Sequence, residues 1–166
     1  MSETTELVVA DCEDLPLARE LFREYLEATI EETGLPNSLD SPGVLQWMEA
    51  DIDALPGPYV EPEGTLLVAC IGDDVAGSVG LARLDDTTAE IRRLWVRPQF
   101  RRGGVARALT VECLERAARL GYERVVLDVV PSRTGAIALY HSLGFTEIEP
   151  YDEYPFPMVF LGRSVP

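Results

Sequence analysis

The segment from residue 91 to residue 109, IRRLWVRPQFRRGGVARAL, most constrains the fold of this chain. Its first residues are of types common in strands, and Pro98 ends the strand because it lacks the N–H that a ladder needs. Gly103 and Gly104 form a turn, and the apolar run from Val105 predicts a helix. A strand, a glycine turn and a helix N-terminus predict an anion site, since the first helical turn leaves backbone N–H groups unpaired at the positive end of the helix dipole.

Arginines cluster around this turn, against the overall charge of the chain. The 166-residue sequence carries a formal net charge of −15, and every basic residue in it is arginine. Residues 91–111 contain no carboxylate but six arginines, namely Arg92, Arg93, Arg97, Arg101, Arg102 and Arg107. The pattern favours a small anionic ligand over nucleic acid, because the acidic remainder of the chain would repel a phosphate backbone.

Two familiar phosphate-binding loops do not match this turn. The glycines are not followed by Gly-Lys-Ser/Thr, and no Gly-x-Gly-x-x-Gly follows a predicted strand. The turn reads Arg101-x-x-Gly104-x-Ala106. It resembles the Arg/Gln-x-x-Gly-x-Gly/Ala signature of the GNAT superfamily of acetyl-CoA-dependent N-acetyltransferases.

Two neighbouring stretches strengthen this resemblance. Residues 90–96, EIRRLWV, resemble the fourth strand of the family, whose backbone binds the pantetheine arm of the cofactor. Residues 136–145, AIALYHSLGF, resemble the family's Ala-x-x-Leu-Tyr-x-x-x-Gly-Phe block, which closes the cofactor site. The motifs occur in the expected order, and the resemblance covers roughly residues 65–149.

The chain length predicts a single domain over residues 1–166. The hydrophobic periodicity and the resemblance predict an α/β fold with a mixed sheet for it. The expected order is β-α-α-β-β-β-α-β-α-β-β, which is the GNAT order. Ser41 and Pro42 are expected to start the second helix, with Val44 on its apolar side. The closing strands are expected at residues 145–149 and 156–161. The resemblance further implies that the two strands joined by the glycine-turn helix splay apart at the cofactor site.

Two residues are candidates for the chemistry of acetyl transfer. Glu90 lies where some relatives carry the general base that deprotonates the amine; the alternatives are a carboxylate paired with an arginine such as Arg92, or a bound water as the base. Tyr140 occupies the position from which many relatives donate a proton to the departing sulfur. A phenol with a pKa near ~10 is protonated at neutral pH, so it can donate a hydrogen bond there.

The resemblance places the cofactor on the fourth strand and the turn. The expected binding residues are Leu94, Trp95, Val96, Arg101, Arg102, Gly103, Gly104, Val105, Ala106 and Arg107, through backbone N–H groups and arginine side chains. Arg133 stands where many relatives have an asparagine that holds the pantetheine. We include it in the cofactor site, although Ser132 or Thr134 could make that contact instead.

Composition limits the location and the partners. The acidic N-terminus lacks the pattern of a signal peptide and no stretch is apolar enough to span a membrane, so we expect a cytoplasmic protein. The three cysteines have no metal-ligand spacing, and no metal is expected. Residues 1–64 hold sixteen carboxylates and two arginines, which indicates either halophilic adaptation or an acidic face that attracts a cationic amine.

The function predicted from these features is acetyl transfer from acetyl-CoA to a primary amine by direct attack in a ternary complex. Two alternatives are a non-catalytic acyl-CoA sensor of the same fold and a transferase of a longer acyl group. The acceptor, a small molecule or a peptide amine, is not encoded in any motif. The oligomeric state, monomer or homodimer, is also open.

Overall fold

In the part of the chain that the structure describes, seven strands and four α-helices follow one another in the predicted order. The structure is a computed structural model that describes residues 6–34, 42–154 and 156–165, without the side chains of residues 42–45. The strands are β1 (Leu7–Asp11), β2 (Thr65–Ile71), β3 (Asp74–Arg83), β4 (Thr88–Val96), β5 (Arg124–Val129), β6 (Thr146–Glu147) and β7 (Val159–Ser164). The helices are α1 (Leu15–Thr33), α2 (Pro42–Asp53), α3 (Val105–Arg119) and α4 (Thr134–Ser142).

The strands form one mixed sheet in the order β1-β2-β3-β4-β5-β7-β6. Strands β1 to β4 pair antiparallel with their neighbours, while β4 and β5 run parallel and are connected through α3. Strand β7 lies between β5 and β6 and is antiparallel to both. The predicted α/β fold with a mixed sheet is confirmed.

Strands β4 and β5 separate after a short paired stretch. Their parallel register covers only Thr88–Arg124, Ala89–Val125 and Glu90–Val126. Beyond Glu90, β4 stays bound to β3 and β5 stays bound to β7. The backbone N–H groups of β4 that face away from β3 therefore have no strand partner, which opens a wedge in the middle of the sheet.

Each face of the sheet is covered by helices. The apolar side of α3 packs on one face through Val105, Leu109, Cys113 and Ala117, in the same cluster as Tyr140 at the end of α4. Helices α1 and α2 cover the other face with Ala18, Phe22, Leu26, Met48 and Ile52. The Asp14 side chain caps α1 by accepting from Leu17 N at 3.0 Å.

The closing strands differ from their predicted bounds. Strand β6 is only two residues long, and β7 begins at Val159 rather than at residue 156. Pro157 has no backbone N–H, so regular pairing with β5 starts after it and extends to Ser164 opposite Arg124. Helix α2 includes Pro42, as expected, whereas Ser41 and the Val44 side chain lie outside the described residues. None of the described helices is long and apolar enough to cross a lipid bilayer.

Candidate active site

Two adjoining cavities occupy the wedge between β4 and β5. An open groove of about 570 Å³ follows the outer end of β4 and the start of α3. An inner cavity of about 120 Å³ reaches the point where the strands part. Leu94, Arg133 and Ala136 line both, so the two spaces meet at these residues.

The groove contains most of the residues predicted to bind the cofactor. All but Gly103 line it, that is, Leu94, Trp95, Val96, Arg101, Arg102, Gly104, Val105, Ala106, Arg107 and Arg133. Gly103 is the exposed neighbour of the glycine that caps α3. The sequence prediction therefore identified one continuous surface.

The start of α3 points an open helix N-terminus into this groove. Gly104 caps the helix with a φ of 81°, a left-handed conformation that suits glycine, and a Cβ there would meet no atom within 4 Å. The first helical hydrogen bond runs from Ala108 N to Gly104 O. The N–H groups of Val105, Ala106 and Arg107 precede it and remain open to an anion.

The arginines of the turn differ in their contacts. Arg101 Nε donates to Val96 O at 3.2 Å, and its guanidinium lies 5.2 Å from the centre of the Trp95 ring. Arg107 donates to Ser142 Oγ at 3.0 Å, and both arginines are exposed. Arg102 is also exposed and has a φ of 66°. All three guanidinium groups can therefore rearrange around a phosphate.

The Arg133 side chain is hydrogen-bonded to residues of α1. Its Nε donates to Glu32 at 2.7 Å, its Nη2 donates to Thr29 Oγ1 at 2.9 Å, and its Nη1 lies 3.3 Å from the Tyr25 hydroxyl. The guanidinium also stacks 5.0 Å from the centre of the Tyr25 ring. These contacts join the start of α4 to α1 across the wedge, so the side chain forms a wall between the cavities.

The inner cavity contains a buried group of carboxylates and tyrosines. Glu90 forms an ion pair with Arg92 Nε and accepts a 2.6 Å hydrogen bond from the Tyr151 hydroxyl. Asp128, on β5, accepts a 2.6 Å hydrogen bond at Oδ2 from the Tyr154 hydroxyl. No described residue donates to Asp128 Oδ1, which leaves that oxygen for a ligand or water.

Asp128 has an unusual proton affinity. Burial raises the pKa of Asp128 to about 6, and the nearby Glu90 charge adds to that effect against the hydrogen bond from Tyr154. A carboxyl group with such a pKa is mostly ionised at neutral pH and still able to accept a proton. Sequence analysis missed Asp128, which falls within an apolar strand; its acidic side chain there was the signal that could have found it.

Tyr140 lines the inner cavity. Its side chain is only 5% exposed and packs edge-on against Phe145, with ring centres 5.7 Å apart. Burial raises the pKa of the Tyr140 phenol further above its ordinary value, so the hydroxyl is protonated at neutral pH. No hydrogen-bond partner for this hydroxyl occurs among the described residues, and the group is free to bind a ligand.

Strand β4 contains a bulge at Arg93. Ser78 pairs with Trp95 and Gly80 pairs with Arg92, so Val79 faces both Arg93 and Leu94. Arg93 has a φ of 58°, an uncommon conformation for a side chain of this size. The bulge brings Arg92 and Arg93, which regular alternation would place on opposite faces, to the same cavity.

Comparison with known proteins identifies this arrangement. The sequence model of the Acetyltransferase (GNAT) family matches residues 17–145. This range includes β4, α3, β5 and α4, the elements that surround the wedge. The chain belongs to the GNAT family of acetyltransferases. Among solved structures, a GNAT-family acetyltransferase of Staphylococcus aureus is similar with a TM-score of 0.76 at 17% identity, covering 97% of this chain and 100% of the other.

Other relatives agree with the assignment of this GNAT acetyltransferase. An uncharacterized N-acetyltransferase of Schizosaccharomyces pombe is 31% identical over 91% of this chain and 88% of its own length. An N-acetylaspartate synthetase of Danio rerio is 37% identical over 65% of this chain, which spans only 38% of that protein. A PaiA N-acetyltransferase of Thermoplasma acidophilum, solved with coenzyme A, has a TM-score of 0.71 at 17% identity, covering 96% of this chain and 99% of the other.

Proposed function

We propose that this protein transfers the acetyl group of acetyl-CoA to a primary amine that enters the inner cavity. The observation that carries the proposal is the meeting of the groove and the inner cavity at Leu94, Arg133 and Ala136. A thioester reaching inward along the groove and an amine in the inner cavity would come together there. Direct attack in a ternary complex requires this juxtaposition.

The groove fits the chemistry of coenzyme A. Its outer end offers the free N–H groups of Val105 to Arg107 and the exposed guanidinium groups of Arg101 and Arg102, which suit a pyrophosphate. Its inner end is apolar, with Leu94, Ala136 and Leu139, as the pantetheine arm requires. When bound, acetyl-CoA supplies an acetyl group activated as a thioester.

Backbone N–H groups of β4 between Leu94 and Val96 are the proposed donors to the carbonyl oxygen. They lie beyond the end of the ladder with β5 and within the groove lining. Donors fixed in a strand need no reorganisation as negative charge grows on that oxygen, so they stabilise the transition state more than the ground state. The splay is thus both the entrance and part of the catalytic apparatus.

Asp128 is the proposed proton acceptor for the amine, directly or through one water. An alkylammonium has a pKa near ~10.4, so a proton must leave before attack at neutral pH. Among the described residues, no group donates to Asp128 Oδ1. Both carboxylate oxygens of Glu90, in contrast, accept hydrogen bonds, one from Arg92 and one from Tyr151. Glu90 would then attract the ammonium group of the acceptor electrostatically and hold it in place.

Tyr140 is the proposed hydrogen-bond donor to the departing sulfur. Its pKa is raised, so complete proton transfer to a thiolate, whose conjugate acid has a pKa near ~8.5, is unfavourable in free energy. A hydrogen bond from the phenol stabilises the thiolate without that transfer. The protonated state of Tyr140 at neutral pH serves this role.

A screen for thiol release tests the proposal. Acetyl-CoA is incubated with the protein and a panel of polyamines, amino acids, aminoglycosides and peptides with free N-termini, at low and at high salt. We expect CoA formation that depends on at least one amine and a product heavier by one acetyl group in mass spectrometry. Tight CoA binding without transfer to any amine would favour a non-catalytic acyl-CoA sensor. A preference for a longer acyl-CoA would favour a transferase of a longer acyl group.

A further inference from the structure

We propose that the amine acceptor carries a carboxylate and that Arg93 binds it, so that the acceptor is an amino acid. This inference rests on the proposed acetyl transfer and names the acceptor class of the inner cavity. Arg93 lines that cavity, its side chain is 11% exposed, and its Nη2 is buried without a hydrogen-bond partner among the described residues.

The existing contacts of Arg93 leave its donors largely unused. Nε donates to Asp51 Oδ2 at 3.3 Å, which is a long hydrogen bond for a charged pair. The guanidinium carbon lies over the rings of Trp47 and Tyr25, at 4.7 Å and 5.9 Å from the ring centres. Aromatic faces attract the cation without taking its N–H groups, so the group is oriented while Nη2 stays free.

Such an arrangement is costly unless a ligand completes it. A buried charged donor without a partner loses hydration that nothing in the protein replaces. Arg93 also adopts a left-handed backbone conformation at the bulge, a strain that folds retain mainly at functional sites. The Trp47 ring, which lies against this guanidinium, is itself 45% exposed to solvent.

The charges of the cavity match an amino acid. Glu90 and Asp128 lie where an ammonium group would be bound and deprotonated, and Arg93, at the bulge of β4, lines the same cavity. Arg92 and Arg133, the other cations of the lining, form ion pairs with Glu90 and Glu32. Arg93 also has a carboxylate partner, Asp51, but reaches it only through Nε at 3.3 Å and keeps Nη2 unpaired. A guanidinium fork is suited to bidentate recognition of a carboxylate, so Arg93 supplies the matching site.

The first test compares substrates of the unaltered protein. Rates of CoA formation are measured for L-amino acids and for the corresponding α-amides, which keep the size but lose the negative charge. We expect kcat/KM to be about 10-fold or more higher for the acids, the effect of one charged hydrogen-bonded pair. An α-amide has the more readily deprotonated amine, so a slower amide cannot be attributed to a lack of free amine.

The second test compares two variants of one ion pair. Arg93→Gln should abolish the preference for the acids, mainly through KM, whereas Asp51→Asn should retain it because the guanidinium is still present. If Arg93 only supports the fold through Asp51, both variants will lower the thermal midpoint and neither will change the acid-to-amide ratio. Arg93→Lys keeps the charge without the fork and should retain part of the preference.

The two proposals can fail separately. Equal rates for acids and amides in the unaltered protein overturn the role of Arg93 while acetyl transfer stands. If no amine is acetylated, acetyl transfer fails, and calorimetry of amino acids added to the CoA-bound protein decides the binding question. Binding of the acids that Arg93→Gln abolishes supports the site, and absence of binding to the unaltered protein refutes it.

Discussion

Glu90 and Asp128 share one small cavity but have different hydrogen-bond environments. Glu90 has a cationic partner in Arg92 and a tyrosine donor, and Asp128 has only a tyrosine donor. Burial outweighs the hydrogen bond from Tyr154 and the nearby charge of Arg93, which explains why the pKa of Asp128 is raised to about 6. The two residues are chemically alike in the sequence, so their division of roles arises from their neighbours.

The first prediction concerns Asp128 as proton acceptor. Below pH 6 Asp128 becomes protonated, so log(kcat/KM) should fall more steeply there than the loss of free amine alone requires. Asp128→Asn should remove this extra slope and lower activity at pH 7.5 by about 10²-fold. Glu90→Gln, the matched change, should leave the slope in place; the opposite result would assign the base to Glu90.

Asp128→Asn should also change stability with pH. The folded state holds the proton of Asp128 more tightly than the unfolded state does, so this group lowers stability as pH rises from about 4 to about 6. At pH 7.5 the variant should therefore be more stable than the unaltered protein. Its free energy of unfolding should be higher by at most about 2–3 kcal/mol, and its thermal midpoint should be higher too. Thermal melts at pH 4.5 and 7.5 measure the difference in midpoint between the variant and the unaltered protein. If that difference is the same at both pH values, ionisation of the buried carboxyl is not its cause.

Tyr140→Phe tests the donor to sulfur. A group that acts on the leaving thiolate contributes mainly in the transition state, so kcat should fall by about 10²-fold while the KM for acetyl-CoA changes little. The packing against Phe145 survives the change, because only the hydroxyl is removed. Steady-state kinetics provide the measurement, and turnover equal to that of the unaltered protein would exclude Tyr140 from the mechanism.

At the scale of elements, the start of α3 and the splay of β4 from β5 form the groove together. Helix α3 begins beside the outer end of β4, and its free N–H groups line the same surface as Leu94 to Val96. If coenzyme A binds in this groove as proposed, its binding depends on the helix terminus as a unit, through its dipole and its backbone donors. Charge added at this terminus should matter more than the same charge elsewhere on the helix.

Two glycines at opposite ends of α3 allow a matched test of this dependence. Gly104 and Gly121 both have a positive φ, of 81° and 90°, and a Cβ would meet no atom within 4 Å at either. Gly104→Glu places bulk and negative charge at the anion site and should weaken CoA binding by about 10²-fold or more. Gly121→Glu carries the same backbone strain and should leave CoA affinity unchanged in calorimetry. Equal affinities in the two variants would place the phosphates elsewhere.

At the scale of the whole molecule, charge is distributed unevenly between the two ends of the chain. Residues 1–64 have sixteen carboxylates and two arginines, and residues 65–166 have thirteen carboxylates and twelve arginines. Part of the acidic half is paired across the fold, since Arg97 binds Glu20 and Glu24, and Arg116 binds Asp11. Asp51 and Glu32 are likewise paired, with Arg93 and Arg133. The carboxylates without an arginine partner repel one another.

Salt should therefore stabilise the protein. The Debye length falls from about 30 Å at 0.01 M to about 3 Å at 1 M, and the loss of repulsion should outweigh the weakening of exposed pairs. We expect the thermal midpoint to rise by several degrees between these concentrations, equivalent to about 1–2 kcal/mol. A midpoint that stays flat into molar KCl would refute the halophilic interpretation. If the acidic half attracts a cationic amine, the KM for that amine should rise with salt while the KM for acetyl-CoA should not.

The sequence by itself determined the family, the order of elements and the residues that line the groove. These features are local: a glycine turn at a helix N-terminus, a proline after a strand and an apolar periodicity each act within a few residues. The pattern at Arg101 to Ala106 was therefore sufficient to locate the groove in which almost all of its predicted residues lie. The ends of β6 and β7 were misplaced because the register of β7 is set by its partner β5.

Only the tertiary structure decided the inner cavity. Asp128 meets Tyr154 across 26 residues, Glu90 meets Tyr151 across 61, and Arg133 meets Glu32 across 101. Such contacts depend on which faces of distant elements come together, and neither the raised pKa of Asp128 nor the free donor of Arg93 exists before they do. The bulge at Arg93 has the same origin, because an extra residue in one strand is defined only against the strand that it pairs with.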